Sequence, residues 1–240
     1  MKETATIKYI LKFTDVDFTV DLEFLKKDFS LINIFPGKKE WTRLEHHKCS
    51  HCPLSEKQSP FCPLASAIDN IISKLQDFLS YDEVHAQVEY KNRIISADIT
   101  VQKALSSLLG LIIPASGCPH TVYFRPMLRF HMPFADTEET IYRATSMFLL
   151  AQYFIFKKSN CIPADFSRLE TICNNVHTVN KYICRRLREV SGEDCYLNAI
   201  VILDMFSLSI HSALEHGLET FESYFSAYRE NIVPPPESTE

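Results

Sequence analysis

The spacing of apolar residues changes near residue 100, and this change constrains the fold more than any other feature. Apolar and polar residues alternate over 7–11, 18–24, 84–90 and 94–99, as they do in half-buried strands. After residue 100, apolar residues recur every three or four positions, as they do on one face of a helix. We therefore expect an α+β fold, in which an N-terminal antiparallel β-sheet with a helix packs on a C-terminal helical bundle.

The same periodicity sets the expected helices. One is expected over 65–79, before the second pair of strands, and the others over 101–113, 136–156, 166–187 and from Asp194 onward. Pro114 should end the second, and Asp136 with Glu139 three residues later should cap the third. The residues from 121 to 133 are expected to be irregular or extended. The helix over 136–156 is apolar on most faces from Met147, so we expect it to be central.

The chain divides into parts without a recognisable linker. We expect a β-rich part over 1–100 that carries a cysteine loop at 46–63, a helical part over 101–232, and a disordered proline-rich tail over 233–240. Because nothing linker-like separates the first two parts, we expect them to share one core.

Composition excludes several classes of function. There are only 5 glycines among 240 residues and no glycine-rich phosphate-binding motif, and a net charge of −5 does not favour nucleic acid. The N-terminus lacks the apolar core of a signal peptide, and the densest apolar run, 147–156, is too short to span a bilayer of about 30 Å. We expect a cytoplasmic protein that has no membrane partner, in which thiols stay reduced and serve metal or redox chemistry.

Four of the 8 cysteines form the strongest candidate site. Cys49 and Cys52 have the C-x2-C spacing that lets two thiolates meet one ion, and Cys62 follows nine intervening residues later. We expect Zn²⁺ with Cys118 as the fourth ligand, because Cys118 also precedes a proline in a turn. Four histidines are alternative fourth ligands: His46, His47, His51 and His120. An iron–sulfur cluster and a set of unrelated thiols are the competing interpretations.

The remaining cysteines, Cys161, Cys173, Cys184 and Cys195, are expected to be buried packing residues. Cys173 and Cys184 lie eleven residues apart in one predicted helix. That separation, roughly 16 Å, is too large for a shared ion.

A basic segment follows the last of the four candidate ligands. No acidic residue occurs between Asp98 and Asp136. Arginine is suited to carboxylate or phosphate, so an anion site is one interpretation. The alternative is that Glu138 and Glu139 pair with the arginines. The candidate ligand-binding residues are Arg125, Arg129, His131 and Arg143.

The order of these motifs resembles an uncharacterised bacterial protein family, one described only as a domain of unknown function. The resemblance covers roughly residues 40–200 and implies no activity. It rests on Cys49-x-x-Cys52-Pro-Leu, Cys62-Pro, Ser116-Gly-Cys-Pro, Arg125-Pro-Met-x-Arg-Phe-His131-x-Pro-Phe, Glu138-Glu-Thr-x-x-Arg143 and Ser146-Met-Phe-Leu-Leu-Ala-Gln-Tyr-Phe.

Three functions compete on these residues. The first is a metal-stabilised binding or regulatory protein, with an anion-binding loop over 118–143 for a small molecule or a protein partner; it could form a homo-oligomer. The second is a metal-dependent enzyme whose ion keeps an open position, with His120 or His131 as acid or base. The third is an iron–sulfur redox or sensor protein. We favour the first.

Overall fold

Four strands form one antiparallel sheet. The computed structural model describes residues 3–33, 39–72, 78–159, 165–190 and 195–231. The order of the strands across the sheet is β2-β1-β3-β4. They are β1 (Thr4–Lys12), β2 (Asp17–Leu25), β3 (Glu83–Tyr90) and β4 (Arg93–Thr100). Both predicted hairpins are confirmed, and they join through β1 and β3.

The sheet buries one face because its strands alternate. Ile7 lies opposite Leu22, and Tyr9 lies opposite Val20, and all four side chains are buried. Such inward pairs are the unit of sheet stability, since their side chains pack against each other and against the next layer. The alternation in the sequence therefore predicted the correct face.

Helices dominate the chain after β4, as predicted. They are α1 (Pro63–Ile72), α2 (Val101–Ala115), α3 (Arg125–Arg129), α4 (Thr137–Ser159), α5 (Ser167–Val190), α6 (Cys195–Glu215), α7 (Glu219–Glu222) and α8 (Ser226–Asn231). Short 3-10 turns cover Glu40–Thr42, Val122–Phe124 and Ser223–Phe225. The predicted helix over 65–79 is confirmed to residue 72. Residues 73–77, Asp194 and the predicted tail lie outside the described residues.

One buried cluster contains side chains from the sheet and from α1, α2, α5 and α6. Helix α2 begins at Val101, directly after β4 ends at Thr100, and contacts β3, β4, α1 and α6. Its apolar residues, including Leu105 and Leu108, are fully buried. Helix α2 is thus the element through which the sheet contacts the helical part.

Two local predictions are wrong. Residues 121–133 are largely helical, because Pro126 lies in the first turn of α3, where its fixed φ and missing N–H are compatible with a helix. Helix α2 continues through Pro114 to Ala115. Pro114 is the next-to-last residue of α2, so it disturbs only the end of the helix.

The expectation that α4 is central is also wrong. Its first half contributes Ala144, Thr145 and Phe148 to the interior, but none of the side chains from Leu149 to Ser159 is buried. A helix that is apolar all round is usually buried. Here the second half of α4 instead extends beyond the helices that flank its first half.

Among the described residues, one helix is long and apolar enough to cross a membrane. It is α6, whose most apolar 18 residues have a mean hydropathy of 1.6 and are 22% buried. A core helix of a water-soluble protein can have the same length and composition, and α6 packs against α2 and α5. The absence of a membrane partner stays a prediction.

Candidate functional site

The loop that carries Cys49 and Cys52 is closed at its base by backbone hydrogen bonds. The amide of Leu44 donates to the carbonyl of Pro60 (2.9 Å), and the amide of Cys62 donates to that of Thr42 (2.7 Å). At the tip, the amide of Cys52 donates to the carbonyl of Cys49 (3.0 Å), which makes the tight turn expected of the C-x2-C spacing. The closure places Cys62 beside the start of its own loop.

Cys118 comes from a distant part of the sequence. It lies in the turn that follows α2 and is buried. Gly117, at φ +96°, shapes that turn, and a Cβ added there would lie 3.8 Å from the Cβ of Pro63. Since Pro63 follows Cys62 directly, the two Cys-Pro segments are neighbours, although 56 residues separate their cysteines in the sequence.

Electrostatics shows that the four thiols are close to one another. Burial, followed by the charges of Cys62, Cys118 and Cys52, raises the pKa of Cys49 to about 12, against the lowering effect of Arg186. Burial also raises the pKa of Cys118, and Cys62 contributes to that rise. The four cysteines that the sequence selected are therefore neighbours in the fold, but within the described ranges no three of their Sγ atoms lie within 4.8 Å of one another, so their role as ligands of one ion stays a prediction.

Arg186 lies beside this cysteine cluster and is only 2% exposed. Its guanidinium donates to the carbonyls of Trp41 (2.6 Å), Arg43 (2.8 Å) and Leu44 (3.0 Å), at the base of the loop. Burial lowers the pKa of Arg186, and Cys62, Cys49 and Cys52 act in the opposite direction. A buried positive charge next to thiols favours thiolate character in them.

The alternative histidine ligands divide into two pairs. His46 and His47 both contact Glu189 through Nε2, at 2.8 and 2.5 Å. The three ligand atoms lie within 4.8 Å of one another, so this exposed group could also hold a metal ion. The same contacts attach the cysteine loop to α5.

The other pair, His51 and His120, stacks with ring centroids 3.9 Å apart. Nε2 of His51 lies 3.1 Å from the carbonyl of Asn175, and Nε2 of His120 lies 2.9 Å from the carbonyl of His51. Nδ1 of His51 is buried without a hydrogen-bond partner in the part of the chain that the structure describes. His51 therefore stays an alternative ligand to Cys118.

The four predicted anion-binding residues do not converge on one point. Arg125 donates to the carbonyl of Pro114 (3.1 Å) and lies 4.0 Å from Asp28. The guanidinium of Arg129, an exposed residue, lies over the ring of Phe29. The other two predicted residues, His131 and Arg143, line one pocket.

That pocket has a volume of about 490 Å³ and lies among α2, α3, α4, α5 and α6. Most of its lining is apolar. Among its polar residues, Ser106 is 3% exposed, and its Oγ has no hydrogen-bond partner within the described ranges. A largely apolar cavity with a few polar groups is the usual form of a small-molecule site.

Arg143 supplies a cation to this pocket. Its Nη2 donates to the carbonyls of Met127 (3.1 Å) and Phe130 (3.2 Å), which hold the guanidinium in place. No carboxylate among the described residues lies within 4.0 Å of its nitrogens. Burial lowers the pKa of Arg143, with Glu139 and Tyr9 acting in the opposite direction.

A hydrogen-bonded chain lies next to the arginine. The Tyr9 hydroxyl is 2.8 Å from Oγ of Ser107 and 2.6 Å from Nε2 of His131, and Oγ of Ser107 accepts the amide of Phe134 (3.1 Å). Burial, and next the charge of Arg143, lower the pKa of His131 to about 3. Burial raises the pKa of Tyr9. At neutral pH His131 is therefore uncharged, and its Nε2 can accept a hydrogen bond from the Tyr9 hydroxyl.

Thr121 connects the pocket with the cysteine cluster. Its side chain is among those lining the pocket, and it is 1% exposed. Its hydroxyl donates to the carbonyl of Ile113 (2.9 Å) and lies 3.5 Å from the carbonyl of Cys118. The segment that carries Cys118 therefore also forms part of the pocket wall.

Sequence reasoning missed several of these residues because their partners are distant along the chain. Tyr9, Ser106, Ser107 and Glu189 carried no local signal. Arg186 did carry one, since it continues the spacing of Val179 and Ile183 on the buried face of α5. Of the cysteines expected to pack, Cys173, Cys184 and Cys195 are buried, and Cys161 lies outside the described residues.

Comparison with known families covers almost the whole chain. The model of the family described as domain of unknown function (DUF6901) matches residues 7–226. The chain belongs to this family. Searches of curated proteins and of solved structures each found no match.

Proposed function

We propose that this protein of the DUF6901 family binds a small amphipathic anion, and that a structural zinc ion stabilises it. The anion would lie in the pocket against Arg143, and the zinc would be held by Cys49, Cys52, Cys62 and Cys118. The observation that carries the proposal is the half-buried guanidinium of Arg143, which faces a largely apolar pocket without a carboxylate within ion-pair distance among the described residues.

The charge of Arg143 argues for an anion. A buried charge is costly unless it is paired, and carbonyl oxygens compensate only part of that cost. Burial lowers the pKa of His131, and the charge of Arg143 adds to that lowering, because a second positive charge beside Arg143 is unfavourable. Ser106 adds a hydroxyl that has no hydrogen-bond partner among the described residues, and the apolar walls fit a hydrocarbon or aromatic part of the ligand.

The zinc proposal is supported by the chemistry of the donor set. Four thiolates in a tetrahedron are a closed, structural type of zinc site. They would carry two net negative charges with the ion, and the buried Arg186 guanidinium lies where it can offset part of that charge. A cytoplasmic location fits the proposal, since free thiols stay reduced there. We also propose that these Cys-Pro motifs are typical of the family and that its members are bacterial.

The enzyme interpretation receives less support from the histidines. A general base works best with a pKa near the working pH, and that of His131 is about 3. His120 uses Nε2 in a contact with the backbone of His51. Neither side chain therefore fits the acid–base role that the sequence suggested for it.

Metal analysis tests the zinc site. We expect one zinc per wild-type chain and a clear loss of bound zinc in Cys118→Ser, because a tetrahedral site would lose one of its four ligands. Cys184→Ser is the matched control, since Cys184 is a buried thiol of α5 outside the cluster. Full zinc content in Cys118→Ser together with a loss in His51→Gln would assign the fourth position to His51. If the analysis finds iron and acid-labile sulfide instead, the site holds an iron–sulfur cluster rather than zinc.

Two related probes test the pocket. We expect 8-anilinonaphthalene-1-sulfonate to bind more tightly than its uncharged analogue N-phenyl-1-naphthylamine, as measured by fluorescence titration. Arg143→Met should weaken sulfonate binding about tenfold, which corresponds to one lost charge-assisted hydrogen bond, and should leave the uncharged probe unaffected. Arg129→Met should change the affinity for neither probe. Equal affinity for both probes in the wild type would contradict the proposed anion site.

A further inference from the structure

The exposed part of α4 presents an apolar surface that the proposed function does not use. From Leu149 to Ser159 the helix extends for about 16 Å without a buried side chain. Its exposed large apolar residues are 39–57% accessible: Leu149, Leu150, Tyr153, Phe154, Ile155 and Phe156. Extended apolar patches of this kind are uncommon on monomers unless they bind a partner.

Part of this surface forms a regular stripe along the helix. Positions 142, 146, 149, 153 and 156 are separated alternately by four and three residues, which is the spacing of a coiled-coil seam. They hold Tyr142, Ser146, Leu149, Tyr153 and Phe156, which we call the α4 stripe. Tyr142 is 42% exposed and Ser146 is also exposed, so the stripe is accessible along about four turns of helix.

Charges at the two ends of α4 have opposite signs. Glu138 and Glu139 lie in its first turn, and Lys157 and Lys158 lie in its last turn. All four residues are exposed. A parallel pair of such helices would place like charges together. An antiparallel pair with a two-fold axis near Leu149 would instead place Lys157 of each copy within a turn of Glu138 and Glu139 of the other.

We infer that the α4 stripe is the interface of a two-fold symmetric homodimer, in which α4 pairs antiparallel with α4 of a second copy. A two-fold interface must be complementary to itself, and the stripe meets that requirement through its central apolar residues and its oppositely charged ends.

The size of the surface fits this assignment. The four large side chains of the stripe are 39–55% exposed and offer on the order of 400 Å² per copy. A stable interface buries roughly 800 Å² per partner. The polar side chains around the stripe can supply the remaining area. The net charge of −5 does not favour an anionic membrane surface as the occupant.

Sedimentation of the full-length chain tests the dimer. We expect the wild type to be dimeric at about 100 µM, a range that includes weak specific association, and Leu149→Glu/Tyr153→Glu to be monomeric. Ile155→Glu is the matched control, because Ile155 is exposed on the same helix but lies outside the stripe. It should stay dimeric. Circular dichroism of all the variants would show whether they fold.

A charge exchange tests the antiparallel register. Lys157→Glu alone and Glu138→Lys alone should each weaken the homodimer at least tenfold, because like charges would then meet. A mixture of the two variants should form a heterodimer of near wild-type affinity, since both ends are then oppositely charged. The inference is overturned if the wild type is monomeric, whether or not it binds phosphatidylglycerol vesicles. It is also overturned if the double glutamate variant stays dimeric, or if mixing restores nothing.

Discussion

Single residues set the charge of the interior. Two arginines, the half-buried Arg143 and the buried Arg186, hold their guanidinium groups on backbone carbonyls rather than on a carboxylate within ion-pair distance in the described part of the chain. Each lies next to a candidate site, the pocket or the cysteine cluster. The sequence marked Arg143 through its basic segment, whereas the spacing of α5 marked only the buried position of Arg186 and not its contacts with the cysteine loop.

The first prediction concerns Arg186. Arg186→Leu should lower the free energy of unfolding by about 3 kcal/mol, because three carbonyls at the base of the cysteine loop lose a charged donor. Urea denaturation in the presence of zinc measures the change. Arg188→Leu, an exposed arginine on the same helix, should change the stability by less than about 0.5 kcal/mol. Equal effects of the two substitutions would contradict a structural role for Arg186.

The second prediction concerns pH. The pKa of His131 is lowered to about 3, against about 6.5 in an unfolded chain. Between these values only the unfolded state binds the proton. The stability due to the neutral imidazole is therefore complete above pH 6.5 and is lost as the pH falls toward 3, by up to about 1.4 kcal/mol per pH unit. Tyr9, whose pKa is raised, stays neutral in this range, and Arg143 stays charged.

His131→Gln should remove that slope while it keeps an acceptor for Tyr9. Urea unfolding at pH 7, 6 and 5 would show a smaller loss of stability in the variant than in the wild type. His216→Gln changes an exposed histidine and should preserve the wild-type slope. If His131→Gln and the wild type lose stability in parallel, the imidazole is not held neutral by its surroundings.

At the scale of elements, local sequence signals predicted where a helix begins better than they predicted what the helix packs against. The capping box of α4 is present as the sequence indicated: the amide of Glu139 donates to Asp136, and the amide of Asp136 donates to Glu139, both at 2.9 Å. The sequence predicted a central position for the second half of the same helix, which is instead exposed. An apolar helix end has the same composition whether a core or a second molecule covers it, so periodicity cannot distinguish the two.

The third prediction follows from this cap. Asp136→Ala should lower the free energy of unfolding by about 1 kcal/mol, because the first turn of α4 loses an acceptor for an otherwise unsatisfied amide. Asp136→Ser should keep most of the stability, since serine caps helices nearly as well. Thermal or urea unfolding compares the three proteins. An alanine variant as stable as the wild type would mean that packing alone fixes the start of the helix.

At the scale of the whole molecule, the sequence predicted the fold class and the sheet face but only part of the site. Strands alternate and helices repeat locally, so their order could be predicted. The grouping of Cys118 with the loop cysteines was also predicted, because the chain repeats Cys-Pro in a turn. The pocket could not be predicted, since its lining comes from five helices whose packing angles leave no mark in any one segment.

The position of Thr121, between the pocket and Cys118, has a thermodynamic consequence. A wall shared by two binding sites allows each ligand to change the affinity for the other, and linkage requires the two changes to be equal. If both sites fill as proposed, an anion that stiffens this wall would slow zinc loss, and zinc depletion would release the anion. Cellular zinc supply would then regulate how much of the small molecule the protein retains.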